Sequence, residues 1–394
     1  MDYIQQDFSV HFSYKVFFTE FLFSEKNYLF RDLLKSVHEE GTTRKILFVI
    51  DENIIAHFPQ LNEQIDLYFK DLPFINLIAE KIIVAGGEVA KNEERYLDLI
   101  IDAVNRHGVD RHSYIAGIGG GSVLDLTGYA AAIAHRGIKL IRIATTVLAQ
   151  DDSGVGVKNG INYQGKKNFL GTFVPPFAVF NDYHFLTTLS DRDWKAGISE
   201  AIKVALIKDA VFFDWLEKNA GLLAKRDKLS MQYMIKRCAE LHMEHIAGGD
   251  PFEFGSSRPL DFGHWSAHKL EQLTNFEVLH GEAVAMGIAL DTVYSNLIGS
   301  LSDTETNRVV NLLKAIGLPL THRYMNLNSI DDPIFKGLNE FREHLGGRLT
   351  IMLLKTIGTG YEVHELDPAV IIKASRFLKD VHESQNEQKQ HMSC

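Results

Sequence analysis

The sequence predicts an α/β domain of the nucleotide-binding type, followed by a mostly α-helical domain. Three observations carry this reading. Short β-rich runs alternate with helical segments through the first half. A triple glycine follows one of those strands. Helical periodicity takes over near residue 190. At 394 residues the chain is long enough for two cores. We expect the first domain over 1–189, the second over 190–380 and a polar, frayed tail over 381–394.

Taken in order, Lys45-Ile-Leu-Phe-Val-Ile50 reads as a buried strand, closed by Asp51-Glu-Asn53. Lys81–Ala85 is a second, ending in Gly86-Gly87-Glu88. Tyr96–His107 is an amphipathic helix, with apolar residues at 97, 99, 100, 101 and 104. Tyr114–Ile118 and Leu140–Ala144 are further strands. Strand, helix and strand at this spacing argue for a largely parallel sheet. Ser190-Asp-Arg-Asp offers an N-cap with acidic residues in the first turn, and helical periodicity then runs through Glu217. Further helices are expected over 229–247, 263–275, 280–298, 304–316, 333–343 and 368–382, with Leu349–Leu354 as a strand among them. The two domains are expected to pack together with the site between them.

Composition narrows the function. Apolar residues make up 45% and charged residues 23%, as in ordinary globular proteins. With 51 acidic against 41 basic residues the net charge is −10, which argues against a nucleic-acid-binding surface. The two cysteines, Cys238 and Cys394, cannot build a disulfide framework or a thiolate cage. The N-terminus lacks a basic and apolar leader, and no apolar run approaches the ~20 residues that span a bilayer. A cytoplasmic setting is expected.

Gly119-Gly-Gly-Ser-Val-Leu-Asp125 joins a strand to the helical run Val123–Ala134. Glycines there let phosphate oxygens approach, and the helix N-terminus supplies free N–H groups. A dinucleotide pyrophosphate is the expected occupant, although the spacing is not Gly-x-Gly-x-x-Gly. Asp51, and Glu88 with Lys91, are expected to meet ribose hydroxyls and phosphate. The stretch Thr145–Asn168 is dense in lysine, amide, aspartate and glycine. A solvated loop is the plain alternative, but it leaves a buried strand where α/β proteins place ligands, and lysines with amides clamp phosphate monoesters. Arg136 is a further candidate phosphate ligand. Glu200 and Lys203, three apart, share a helix face among apolar neighbours. Buried, that pair would be costly unless it served a metal or substrate.

His264 and His268 share a helix face, and His280 follows on what reads as a returning helix. Two of these imidazoles and one carboxylate would make a three-ligand catalytic metal site, with Glu200 as the candidate carboxylate. Helix-borne histidines without any ligand are the ordinary alternative.

Together these runs resemble the sugar phosphate cyclases of the dehydroquinate synthase superfamily, over about residues 10–378. The matching runs are Gly119–Asp125, Thr145-Thr-Val-Leu-Ala-Gln, Asp152-Ser-Gly-Val-Gly-Val-Lys158-Asn-Gly-Ile-Asn162, Glu200-Ala-Ile-Lys203, Phe262-Gly-His264-x3-His268 and His280-Gly-Glu-Ala-Val-Ala. The resemblance implies a Rossmann-like N-terminal domain and a helical, metal-binding C-terminal one. It implies Glu200, His264 and His280 as ligands of zinc, with cobalt an alternative. It assigns NAD to Asp51, Asn53, Glu88, Lys91, Gly120, Gly121, Ser122, Asp125, Thr145 and Thr146. Asp152, Lys158, Lys203 and His268 fall on catalytic positions, and Asn168 on a substrate-binding one. Arg136 matches an arginine that reaches a neighbouring subunit's phosphate site, which implies a homodimer.

The departures point to the substrate. Where dehydroquinate synthase holds a substrate carboxylate with a lysine and an arginine, this chain has Met243 and Ser257, with Arg258 one position on. Asp261 replaces an asparagine. Gly249–Glu253 and Ser256–Trp265 look like the branch that cyclises sedoheptulose 7-phosphate, which has no carboxylate. Within it, Asp261 and His344 match the subgroup forming 2-epi-5-epi-valiolone; the subgroup forming desmethyl-4-deoxygadusol carries smaller residues there. Arg342, Arg348 and Lys355 all remain candidates for a C-terminal phosphate-binding cation. The expected reaction is transient oxidation by NAD, phosphate elimination, re-reduction, ring opening and aldol closure. One rival is a metal-dependent alcohol or polyol dehydrogenase, a group that lacks the segment found here at 152–158, and a second is a degenerate cyclase kept as a binding protein.

Overall fold

The computed structural model describes residues 2–248, 250–252, 259–344 and 347–392, apart from the side chains of Pro259, His344 and 385–392. The chain forms two compact units. The first holds the residues up to Thr145 together with Gly156–His184, and the second holds Thr146–Val155 and the residues from Phe185 onward.

In the first unit, six parallel strands form one sheet in the order β1-β8-β5-β4-β2-β3. They are β1 (Lys15–Thr19), β2 (Arg44–Asp51), β3 (Ile75–Val84), β4 (Tyr114–Gly119), β5 (Lys139–Ala144) and β8 (Ala178–Asp182). Helices α1 (Leu29–Ser36), α2 (Glu52–His57), α3 (Leu61–Phe69), α4 (Val89–Asn92), α5 (Glu94–Arg106) and α6 (Gly121–Ile133) connect them. Strands β2 and β4 are almost wholly buried, which is why they read as unbroken apolar runs. From β2 the chain steps outward to β3, then crosses back to β4 on the other side. The strand order therefore reverses between β2 and β4, and ligands of open α/β sheets bind beyond the strand ends at such a point. Asp51 ends β2 and Gly119 ends β4.

The sequence did not mark β1 or β8. It read 145–168 as one ligand-bearing loop, but the structure divides it. Ala149–Ser153 is a π-helical turn in the second unit, while β6 (Lys158–Tyr163) and β7 (Lys166–Phe173) form an antiparallel hairpin in the first. The boundary expected near 189 therefore misses a ten-residue excursion, and the later crossing lies at His184–Phe185.

The second unit contains α7 (Asp191–Lys208), α8 (Ala210–Ala224), α9 (Lys228–Ala247), α10 (His264–Leu273), α11 (His280–Leu297), α12 (Asp303–Ile316), α13 (Lys336–His344) and α14 (Pro368–Met392). A hairpin of β9 (Ile351–Thr356) and β10 (Thr359–Val363) joins them. Ser190 caps α7 by accepting from the Asp193 N–H at 3.1 Å. The single helix expected through Glu217 is broken at Asp209. Its carboxylate accepts from the Phe212 N–H at 2.9 Å and from Arg237 at 2.7 Å, so it starts a second helix instead of continuing the first. The tail expected after residue 380 is also corrected, because α14 continues to Met392. Helices α7 and α11 are buried over most of their length, as central helices must be. Among the described residues no helix is long and apolar enough to cross a membrane.

Candidate active site

In the first unit the residues expected at a dinucleotide gather at the strand ends. Asp51 is buried and accepts from the Asn53 N–H at 2.9 Å and from its side-chain amide at 3.1 Å. Burial raises the Asp51 carboxyl above its usual range, against the Asn53 hydrogen bonds. Gly120 begins α6 in extended conformation, and no side chain caps the helix. A helix start of this kind leaves its first N–H groups able to meet an anion. Beside them runs a continuous polar chain. Lys91, 4% exposed, donates to Asp125 at 2.9 Å and to the Asn168 side chain. Glu88 accepts from Ser122 at 3.3 Å and from Asn162 at 2.8 Å, and Asn162 also donates to Asn92 at 2.7 Å. The Asn168 N–H donates to Asn162 at 2.8 Å from a left-handed backbone (φ 53°). Asn168, expected on substrate, is thus tied to Lys91. The linking amides Asn162 and Asn92 had no separate sequence signal beyond the motif that includes Asn162. Thr145 is buried, with its N–H donating to the Gly119 carbonyl at 3.0 Å. Lys158 and Arg136 are exposed, Arg136 in a left-handed turn just after α6.

In the second unit, three helices deliver Glu200, His264 and His280 to one point. Glu200 sits mid-way along α7 with no solvent exposure. Its Oε1 lies 3.6 Å from His264 Nε2 and 3.5 Å from His280 Nε2. Its Oε2 pairs with Lys203, whereas Oε1 has no hydrogen-bond partner among the described residues. A buried acceptor with two imidazole nitrogens facing it is costly unless a cation sits among them. Ligands about 2.0–2.1 Å from a tetrahedral zinc lie roughly 3.4 Å from one another, close to the observed separations. His264 Nδ1 donates to the Phe262 carbonyl at 3.1 Å, which fixes its tautomer and leaves Nε2 with a free lone pair. Burial and nearby Lys203 push the His264 pKa down to about 4, so the ring is neutral at pH 7. His280 Nδ1 faces Glu271 at 3.0 Å in the same supporting role. Glu271, nearly unexposed, was not singled out from sequence; it lies one helical turn after His268. The His268 ring is 5.3 Å from that of His264 and 5.9 Å from that of His280. His268, Glu271 and His280 form a second potential metal cluster, which shares His280 with the first.

Lys203 lies one turn beyond Glu200 and pairs with Oε2. Burial works against its charge, but Glu200 and Asp152 outweigh it and raise its pKa above the ordinary value. Asp152 comes from the π-helical turn, and His242 Nδ1 of α9 lies 2.8 Å from its carboxylate. Burial opposes the Asp152 charge, yet Lys203 and His242 hold the carboxyl well below its normal range. The neighbouring Asp151 is fully buried, and neither of its side-chain oxygens has a hydrogen-bond partner among the described residues. Burial and then Asp152 raise its pKa far above normal. Asp261 is half-buried, and its charge acts on both Lys203 and His264. Thr146 accepts from the Ala149 N–H at 3.1 Å at the start of the same turn. Met243 is half-buried on α9, and Arg342, Arg348 and Lys355 are all exposed. Ser257, Arg258 and the His344 side chain lie outside the described residues.

Two family models match the chain: 3-dehydroquinate synthase N-terminal over residues 81–196, and 3-dehydroquinate synthase C-terminal over residues 197–336. The 3-dehydroquinate synthase of Nitrosospira multiformis is 38% identical over 309 residues, covering 77% of this chain and 81% of its own. The chain belongs to the dehydroquinate synthase superfamily of sugar phosphate cyclases. Among solved structures, this cyclase is similar to the 2-epi-5-epi-valiolone synthase of Streptomyces hygroscopicus subsp. jinggangensis, which has NAD+ and Zn2+ bound. The identity is 27% and the TM-score 0.83, with 96% of this chain and 99% of that one covered. A 2-deoxy-scyllo-inosose synthase complexed with carbaglucose-6-phosphate, NAD+ and Co2+ shares the fold at TM-score 0.73 and 23% identity, over 92% and 96% of the two chains.

Proposed function

We propose that the chain is a sedoheptulose 7-phosphate cyclase that forms 2-epi-5-epi-valiolone and inorganic phosphate, using NAD and a divalent metal, zinc first. The observation that carries this is the convergence of Glu200, His264 and His280 beside Lys203 and Asp152, in a chain of the dehydroquinate synthase superfamily. Support for the substrate comes from Met243, an uncharged side chain where a carboxylate-binding enzyme needs a cation, and from Asp261 beside the metal ligands.

Bound NAD would supply reversible hydride transfer, and a bound divalent metal would make a substrate hydroxyl more acidic. Glu200, His264 and His280 would hold the metal. Asp51, Asn53, Glu88, Lys91, Ser122, Asp125 and the uncapped turn at Gly120–Gly121 hold the dinucleotide, with Thr145 and Thr146. Lys203, kept as ammonium, donates to substrate hydroxyl oxygens, and the Asp152 carboxylate accepts from them. Lys158, Asn168 and His268 hold the phosphate ester, and the departing phosphate carries off the proton of the neighbouring carbon. Ring opening and an intramolecular aldol step close the carbocycle. Asp261 and His344 favour this product. Arg136, exposed after α6, reaches the phosphate site of a second copy.

The test is incubation of the purified protein with NAD, Zn2+ and sedoheptulose 7-phosphate, with product identification by NMR. Phosphate release, a C7 cyclitol ketone and no net NADH are expected. A second reading, 3-dehydroquinate synthase, is favoured by the identity to curated relatives of that name. Release of phosphate only from the seven-carbon 2-keto acid phosphate would establish it instead.

A further inference from the structure

Asp291 is a buried carboxyl in α11 that the chemistry above does not use, and it is 1% exposed. Its Oδ2 accepts from the Gly263 N–H at 3.2 Å, and its Oδ1 accepts from Trp265 Nε1 at 3.0 Å. The two residues it grips are the immediate neighbours of His264. Trp265 is itself 1% exposed, so the indole N–H can find no water in exchange.

The same contact supplies a cap that α10 otherwise lacks. Gly263 precedes the helix in left-handed conformation (φ 77°), and among the described residues no side chain of its own segment caps it. A carboxyl at a helix N-terminus satisfies an orphan N–H and opposes the dipole. Here that carboxyl comes from another helix. The approach is close enough that a Cβ on Gly287 would fall 2.0 Å from the Gly263 carbonyl oxygen. His280, Gly287 and Asp291 are seven and four residues apart on α11, which places them on one face. That face therefore presents one imidazole, a notch for the start of α10, and the acceptor that holds the other imidazole's neighbours.

We infer that Asp291, through Trp265 and Gly263, is a positioning residue that fixes His264 for metal binding. The inference rests on the metal reading of Glu200, His264 and His280. Supporting groups one step removed from a metal typically set its affinity by 10–100-fold.

The experiment measures zinc affinity by chelator competition on the full chain, for wild type, Asp291→Asn, Trp265→Phe and, as a site control, His264→Ala. In Asp291→Asn the amide can serve one donor but points its NH2 at the other, so a loss of about 10–100-fold is expected. Trp265→Phe removes one of the two donors and should lose about 3–10-fold. Cobalt-loaded Asp291→Asn should also show a changed visible absorption band, which a general loss of stability would not produce. Asp291→Asn within twofold of wild type, with an unchanged cobalt band, overturns the inference while leaving the metal site intact. If Asp291→Asn does not fold, Trp265→Phe within twofold of wild type overturns it. A wild-type chain that takes up no more zinc than His264→Ala removes the metal reading and this inference with it.

Discussion

Lys203 and Glu200 share a fully buried contact on one face of α7, and the other oxygen of the same carboxylate faces His264 and His280. The ammonium therefore balances a charge that the site must keep. Lys203→Met would leave Glu200 and Asp152 as buried anions without their main counter-charge. The metal-free protein should lose about 3–5 kcal/mol, the cost of breaking a buried pair from one side. Added zinc should restore part of that loss by taking over the positive charge. Urea titrations with and without metal check this. Cyclase turnover, which needs the ammonium itself, should remain at least ~100-fold down in both.

Lys91 bridges Asp125 and Asn168 beside the uncapped N-terminus of α6. Lys91→Met removes two charge-assisted hydrogen bonds and leaves Asp125 without its cation. NAD affinity, read by fluorescence titration, should fall about 10–100-fold. Zinc affinity, set by residues of the other unit, should not change.

Burial raises the Asp291 carboxyl to about pH 7, against the hydrogen bonds from Trp265 and Gly263. The folded protein then holds this proton more tightly than the unfolded chain, whose carboxyl titrates near pH 4. The stabilising contribution is complete below about pH 4 and is lost as pH rises through about 7. Between pH 5 and pH 8 the metal-free wild type should lose on the order of 3 kcal/mol relative to Asp291→Asn. Parallel stability curves for the two proteins over that range would refute the assignment.

Gly263→Ala would combine a left-handed backbone with a Cβ only 2.7 Å from the Ile288 backbone nitrogen. Because that neighbour is main chain, α10 must shift away from α11 and carry His264 with it. A loss of about 2–4 kcal/mol is expected in denaturant unfolding, together with weaker metal binding.

Much of this was legible in the sequence because it is local. The buried strands β2, β4 and β5 announce themselves as apolar runs, and the triple glycine marks a strand-to-helix turn. The histidine spacing nominated His264 and His268 as partners, because helical periodicity sees only neighbours on one helix. The structure converges His264 instead on His280 and on Glu200 of a distant helix, a pairing that family resemblance reached and spacing did not. Strands β1 and β8 escaped because each is a five-residue run whose partners lie far along the chain. The break at Asp209 is a single residue inside an uninterrupted apolar pattern, and only its capping bond reveals it. Glu271 and Asp291 carry no motif, and their roles come from what faces them in three dimensions.

The excursion of Thr146–Val155 into the second unit means that neither unit is a contiguous piece of the gene product. A fragment starting at Phe185 would contain Glu200, Lys203 and all three histidines, yet would lack Asp152 and leave His242 without the carboxylate it faces. Chimaeras between relatives must therefore exchange two separate stretches to keep one unit intact. During synthesis the turn bearing Asp152 emerges well before α7 and α9 exist, so it must wait for later-made helices before it finds its place.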